Sequence, residues 1–309
     1  MIDFMLRKGN ESLLDEHPYI RNILIWDKKE QKYGGLFRLM KTVRGNRYDL
    51  VVNMQRFGAT GFLTAFSGAK ETSGFDKNPF SFLFSRRIPH IISTPELPLH
   101  ETDRNQMLIA HLTDHKAARP RLYPSVKVMQ SVAHFKDQPY ICIAPASVWF
   151  TKQYPREKWI SFLKALPISL RVYIIGAPSD AALADDIIRE AGANKNIVSL
   201  CGKLSLLQSA ALQQDARMNF VNDSGPMHFA SAVNAPVTAI YCSTVPSFGF
   251  GPLSDQRFIV ESPVPLECRP CGLHGHHACP LGHFNCANFI RDEQLLRSIT
   301  DCGLRIADS

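Results

Sequence analysis

The sequence has no uninterrupted apolar run of about 18 residues, the length a helix needs to cross a bilayer, so no membrane span is expected. Its N-terminus shows no basic stretch followed by an apolar one, so no secretory signal is visible and a cytoplasmic chain is expected. Neither Gly-x-Gly-x-x-Gly nor a Walker lysine motif occurs, which argues against a dinucleotide oxidoreductase and a P-loop nucleotidase. There is no internal repeat and no low-complexity segment. The basic residues are scattered, with no stripe interleaved with aromatics of the kind that binds nucleic acid, and no nucleic-acid partner is expected.

What is present is a chain of 309 residues, 45% hydrophobic and 20% charged. That is enough for one large or two medium cores. The formal charge of +7 and isoelectric point near 9.0 suggest an anionic partner. A phosphate-rich substrate or an acidic membrane face suits scattered charge better than nucleic acid does, and a merely solvated basic surface suits it as well.

Taken in order, Ile2–Leu6 reads as a strand, Glu11–His17 as a short helix stopped at Pro18, and Ile23–Trp26 as a second strand. Leu36, Leu39, Met40 and Val43 fall at helical spacing ahead of the strand Leu50–Val52. The polar turn Asn53–Gly61 follows, at the carboxyl end of a strand, where open α/β sheets place ligands. Gln55 and Arg56 in this turn could contact an anionic acceptor, Arg being suited to phosphate and carboxylate, or they could belong to a solvated loop. Residues 86 to 100, with prolines at 89, 95 and 98, read as strand and loop, and helices are expected over Glu101–Leu112 and Val126–Phe135. The short polar link Lys136-Asp137-Gln138-Pro139 is placed as a domain boundary, giving domains 1–136 and 137–309.

The second half alternates more cleanly. Five buried strands are expected at 140–144, 171–175, 197–200, 218–221 and 237–241, with helices near 156–166, 179–191, 205–214 and 226–233. This rhythm implies a parallel sheet covered on both faces. The fold class expected for the whole is α/β, two facing Rossmann-like domains with a cleft between them, the GT-B architecture of glycosyltransferases.

The chain is organised around Phe220–His228, where an apolar strand turns sharply into a helix through Asp223, Ser224 and Gly225, with Pro226 suited to a first helical position. Such a turn aims backbone N–H groups and the positive helix end at one point, a place for a diphosphate. The same residues also suit an ordinary strand-to-helix turn capped by Asp223 or Ser224.

The run Asn-Asp-Ser-Gly-Pro-Met-His at 222–228, with Ala230-Ser231-Ala232 and the strand 236–241, resembles the donor-site motif of the ADP-heptose:lipopolysaccharide heptosyltransferases, glycosyltransferase family 9. Ser67–Lys70 and Gly74–Pro79 resemble the acceptor-binding half of the same family. The resemblance implies that Asp223, Ser224, Gly225 and His228 contact a nucleotide sugar. It also implies that Lys152, in the loop Pro145–Pro155, neutralises the donor diphosphate, as a departing nucleoside diphosphate requires. Asp180, after Gly176-Ala177-Pro178, caps a helix or reaches the nucleotide ribose, capping being the simpler reading. The implied reaction is inverting transfer of a heptose or related sugar from an ADP-linked donor to a lipopolysaccharide core acceptor, without a divalent metal. Peripheral contact with the cytoplasmic face of the inner membrane is implied as well.

The family begins with a strand, a glycine-bearing turn and a helix, and a turn aspartate there is the expected general base. This sequence aligns from the second strand, Asp3 does not match that aspartate, and the base is unassigned. A start placed too far downstream and a short, non-catalytic nucleotide-sugar or glycolipid-binding relative both fit. Either way the first domain is expected to be the less stable one, because a missing central strand leaves apolar edges.

The cysteines divide into two sets. Cys142, Cys201, Cys242 and Cys302 are scattered, as buried thiols in a reducing compartment are. Cys268, Cys271, Cys279 and Cys286 share a stretch with four histidines, a density suggesting structural zinc, although the spacing is not a paired Cys-x-x-Cys and plain thiols or a disulfide also fit.

Overall fold

Strand runs separated by helical runs assemble here into parallel sheets in two units. The computed structural model describes residues 1–29, 32–94, 96–192 and 194–301. One unit comprises Met1–Arg119 with Ser247–Gly249, and the other Pro120–Pro246 with the chain from Phe250 onward. Cys302 and Pro95 lie outside the described residues.

In the first unit β1 (Ile2–Arg7) pairs in parallel with β2 (Ile20–Trp26). The helix expected between them shortens to a 3-10 turn at Glu11–Leu14 that buries no side chain. The helix α1 (Lys32–Asn46) turns Leu36, Leu39, Met40 and Val43 inward, as their spacing predicts. A separate three-stranded parallel sheet follows: β3 (Leu50–Asn53), then, after helix α2 (Gly58–Ala65), β4 (Glu71–Phe75) and β5 (Arg86–Ile88). The helix α3 (Glu101–Gln106) continues as a 3-10 turn to Leu112.

Two of these elements depart from the sequence reading. Part of the expected polar turn 53–61 is the first turn of α2, where low helix propensity is overridden by packing: a Cβ on Gly61 would collide with the Asn78 amide. The strand β4 carries Thr72 and Ser73, whose polarity hid it. Inside the unit Ser73 Oγ donates to Leu108 O at 2.7 Å, so its burial leaves no unpaired hydroxyl.

The second unit holds α4 (Val126–Ser131), β6 (Tyr140–Ala144), α5 (Arg156–Lys164), β7 (Arg171–Ile174), α6 (Ala181–Glu190) and β8 (Ile197–Ser199). It continues with α7 (Leu206–Gln214), β9 (Asn219–Asn222), α8 (Gly225–Ala232), β10 (Val237–Tyr241), β11 (Arg257–Glu261), α9 (Asn285–Asn288) and α10 (Asp292–Asp301). Its six strands are all parallel, in the order β11-β10-β9-β6-β7-β8. Every residue of β6, β9 and β10 is buried, and apolar clusters cover both faces of the sheet.

The link at 136–139 lies inside this unit, and the division falls earlier, between Arg119 and Pro120. Lys136 Nζ donates to Ala211 O at 2.9 Å and Tyr173 Oη to Phe135 O at 2.8 Å, which fixes the segment before β6 to the second core. Among the described residues no helix is long and apolar enough to cross a membrane.

Candidate active site

Read from edge to edge, the second sheet runs β8-β7-β6-β9-β10-β11, the strand order of a doubly wound nucleotide-binding fold. In such sheets the ligand crevice opens at the carboxyl ends of the two strands where the order reverses, here β6 and β9. The loop after β6 carries Lys152 and the turn after β9 carries Asp223, so the topology brings together two residues that are 71 positions apart in the sequence.

Lys152 Nζ lies 2.6 Å from Asp223 Oδ2, with both side chains largely buried. Thr244, in the loop after β10, donates from Oγ1 to the same carboxylate oxygen at 2.7 Å. The Asp223 carboxylate therefore does not cap α8, and neither does Ser224, whose Oγ donates to Asn222 O at 3.3 Å while its backbone occupies the cap position. The first turn of α8 keeps its N-terminal end without a side-chain cap. Pro226 sits in that turn as expected. Gly225 and His228 are exposed on the same turn.

Gly225 has ordinary backbone angles, and a Cβ there would meet only Phe229 Cζ, at 3.9 Å. The protein's own packing therefore does not require glycine, whereas close approach of a ligand to the backbone does.

Asn222 locks the two loops together. Its Oδ1 accepts from Tyr154 N at 3.0 Å and its Nδ2 donates to Pro145 O at 2.8 Å, so a fully buried amide ties both ends of the Lys152 loop to β9. Asn222 and Thr244 were not singled out from sequence. The signal for them is a polar residue at or just beyond the carboxyl end of a largely apolar strand.

The remaining expected residues are placed as follows. Asp180 braces the 3-10 turn Pro178–Asp180, with Oδ2 accepting from Ala177 N at 2.8 Å and Oδ1 from Ser179 Oγ at 3.1 Å, and makes no side-chain cap bond to α6. Gln55 and Arg56 are exposed after β3 in the first unit, where Asn78 Nδ2 donates to Gln55 O at 2.9 Å and shapes the loop. Asp3 is enclosed: Arg21 binds it through Nε at 2.9 Å and Nη2 at 2.8 Å, and Tyr48 Oη at 2.5 Å. The Arg21 hydrogen bonds, with Tyr48, hold its carboxyl down at about 2, which makes it a weak proton acceptor near neutral pH.

Cys268, Cys271 and Cys279 are half-buried and Cys286 is buried, all as free thiols. Burial pushes the Cys286 thiol up to about 11 and raises that of Cys271, so the protonated thiol is favoured in both. Among the described residues no three or more His, Cys, Asp or Glu side chains are grouped so as to hold a metal ion.

A doubly wound sheet with a lysine and an open helix start at its switch point is an arrangement suited to the phosphates of a nucleotide, and it is found in GT-B glycosyltransferases among other folds. The model of glycosyltransferase family 9 (heptosyltransferase) matches residues 36–278, and the chain belongs to that family. It is 24% identical over 255 residues to lipopolysaccharide heptosyltransferase 3 of Escherichia coli, covering 79% of this chain and 75% of the relative. Lipopolysaccharide heptosyltransferase 1 of Pseudomonas aeruginosa is 21% identical over 281 residues, covering 87% and 77%. Among solved structures, E. coli ADP-heptose lps heptosyltransferase II superposes with a TM-score of 0.78 at 20% identity, over 98% of this chain and 89% of that one. A family 9 glycosyltransferase from Veillonella parvula gives a TM-score of 0.80 at 18% identity, over 97% and 87%. These structures share the fold.

Proposed function

We propose that this enzyme transfers a heptose or related sugar from an ADP-linked donor to a lipopolysaccharide core acceptor, by a single inverting displacement at the anomeric carbon. The observation that carries the reading is the Lys152–Asp223 ion pair at the switch point, beside the uncapped start of α8. When the glycosidic bond breaks, negative charge grows on the departing diphosphate. Donors already aimed at that charge lower the barrier because they need no reorganisation. The Lys152 ammonium has three N–H donors, one of which Asp223 accepts, and the N–H end of α8 supplies further positive potential. Gly225 leaves the backbone open to the phosphates. Ser224, His228 and Asp180 line the same end of the sheet as candidates for the nucleotide and sugar hydroxyls.

The acceptor reading rests on Gln55 and Arg56 at the carboxyl end of β3, an exposed polar pair suited to an anionic sugar. The first unit also exposes Phe57, Phe66 and Phe82, with Lys28 Nζ 5.8 Å from the Phe57 ring centroid. Aromatic and basic side chains of this kind suit the headgroup layer of an anionic membrane, and they support the reading that the first unit meets the cytoplasmic face of the inner membrane.

Calorimetric titration with ADP tests the donor half. Saturable binding that is indifferent to added magnesium is expected, since Lys152 and the helix end meet the diphosphate charge. Lys152→Met is expected to weaken it about thirty-fold, the scale of a charge-assisted contact. Absence of ADP binding in the wild-type chain overturns the reading.

A further inference from the structure

The Cys/His-rich segment is not a separate module, because its backbone is threaded into the loops that form the donor site. Thr151, the residue before Lys152 and only 1% exposed, is the junction. Its Oγ1 accepts from His276 N at 2.8 Å and from Ser243 Oγ at 3.0 Å. Its amide donates to His276 O at 3.1 Å, and its carbonyl accepts from Ser243 N at 3.2 Å. One threonine thus joins the loop after β6, the loop after β10 and the Cys/His-rich segment.

Arg269 makes the second junction. Its Nε donates to Cys242 O at 2.7 Å, and its Nη2 to Thr244 O at 2.9 Å and to Glu261 Oε2 at 2.6 Å. The carbonyls at the end of β10 are held by a guanidinium fork, in a geometry that a single ammonium does not reproduce. Cys271 N adds a hydrogen bond to Ser243 O at 2.8 Å. Packing closes the arrangement. Gly275 has a left-handed φ of +77°, and a Cβ there would lie 3.0 Å from Thr151 Oγ1 and 3.3 Å from Lys152 Cγ, so the segment sits directly on the lysine stem.

We propose that Thr151 and Arg269 are positioning residues of the donor site, through which the segment Leu266–Gly282 fixes Lys152 and Thr244 on the Asp223 carboxylate. This rests on the donor reading above. Lys152 carries a flexible four-carbon stem that, untethered, spreads its charge over many rotamers. Preorganising it requires that its own backbone be immobile, and the three-way bonding of Thr151 provides that. The Thr244 hydroxyl meets Asp223 only while its backbone is held, and Arg269 holds it. Each acts through its neighbour, Thr151 through the adjoining Lys152 and Arg269 through Thr244 O.

The test uses the full chain and the variants Thr151→Val, Thr151→Ser, Arg269→Lys and, as a control for loss of a buried hydroxyl elsewhere in the same unit, Thr238→Val. ADP affinity is measured by calorimetry. In parallel, the rate at which Lys152 is acylated by an amine-selective reagent is read by peptide mass spectrometry, without nucleotide and relative to exposed Lys164. Thr151→Val and Arg269→Lys are expected to weaken ADP about ten-fold and to raise Lys152 labelling several-fold. Thr151→Ser restores both towards wild type, and Thr238→Val changes neither. Wild-type-like ADP affinity and Lys152 labelling in Thr151→Val and Arg269→Lys would overturn the positioning role and leave the donor reading intact. Equal losses in Thr238→Val would overturn it too, reducing the effect to general destabilisation. A wild-type chain that does not bind ADP overturns the donor reading and this role with it, and the labelling result then reports only whether Thr151 holds the lysine.

Discussion

The two units are built from the same parts and differ in how completely they bury them. In the second, one sheet of six parallel strands is covered on both faces, and Trp159, Phe162, Phe220, Ile141 and Ile143 are all fully buried. In the first, five strands among the described residues divide into sheets of two and three, β1 has no fully buried residue, and a small apolar cluster forms from Trp26, Leu36, Leu39, Met40 and Leu63. Parallel strands are normally stable only when both faces are covered. The contrast teaches that the unit with the switch-point geometry is also the more fully buried one, the setting a preorganised charge site needs.

The largest expected effect tests this directly. Trp159→Ala removes a fully buried ring from the second core and should cost about 4 kcal/mol, whereas Leu39→Ala in the first unit should cost about 2 kcal/mol, because a looser surround collapses more readily. Chemical denaturation followed by a unit-specific probe checks both. Native-state hydrogen exchange sharpens the same comparison: amides of β1–β5 should exchange through lower-energy openings than those of β6, β9 and β10, and limited proteolysis should cut the first unit before the second. Cleavage of the second unit first would break the comparison.

Next comes Asp3→Asn, expected to destabilise the first unit modestly at neutral pH, because the partly exposed Arg21 then loses its carboxylate partner and solvent screens part of that loss. The sign follows from the lowered carboxyl. Its folded value of about 2 lies below the ordinary carboxylate value of about 3.9, so its stabilisation is complete above that ordinary value and is lost as pH falls towards 2. Wild-type stability should therefore decline across that window, and the Asn variant should lack this part of the slope. The smallest effect on stability is expected for Gly225→Ala. The site has room for a methyl group and alanine is the better helix former, so the melting temperature should hold or rise by a degree or two while ADP affinity falls several-fold. Lost affinity with unchanged stability would separate ligand contact from folding at that position.

Much of the second unit was legible as sequence. The strands β6, β7, β9 and β10 are short, largely apolar runs bounded by polar turns, and the pattern is redundant because a doubly covered strand buries both its faces and so is mostly apolar, its buried Asn219, Asn222 and Thr238 each hydrogen-bonded. The strand β11 was not read, since Arg257 and Glu261 at its ends disguise an edge strand with a half-exposed face. The short helix α2 was hidden by Gly58, Thr60 and Gly61, which are poor helix formers held in place by tertiary contacts. The Phe220–His228 turn was visible as a candidate site because Pro226 and Gly225 are informative residues locally. The choice between a diphosphate turn and a capped turn was not, because it depends on where the Asp223 carboxylate points.

Local sequence thus determined the alternation of strands and helices, the family through its turn motif, and the residues Lys152 and Asp223 as separate candidates. Only the tertiary structure decided that Lys152 and Thr244 meet on one oxygen of Asp223, that Asn222, Thr151 and Arg269 hold the loops around them, and that the Cys/His-rich segment is hydrogen-bonded to those loops. The physical reason is one of range. Burial and turn preference act between near neighbours and leave a trace in composition. A hydrogen bond from Thr151 to His276, 125 residues away, leaves none until the sheet fixes which strand ends lie side by side.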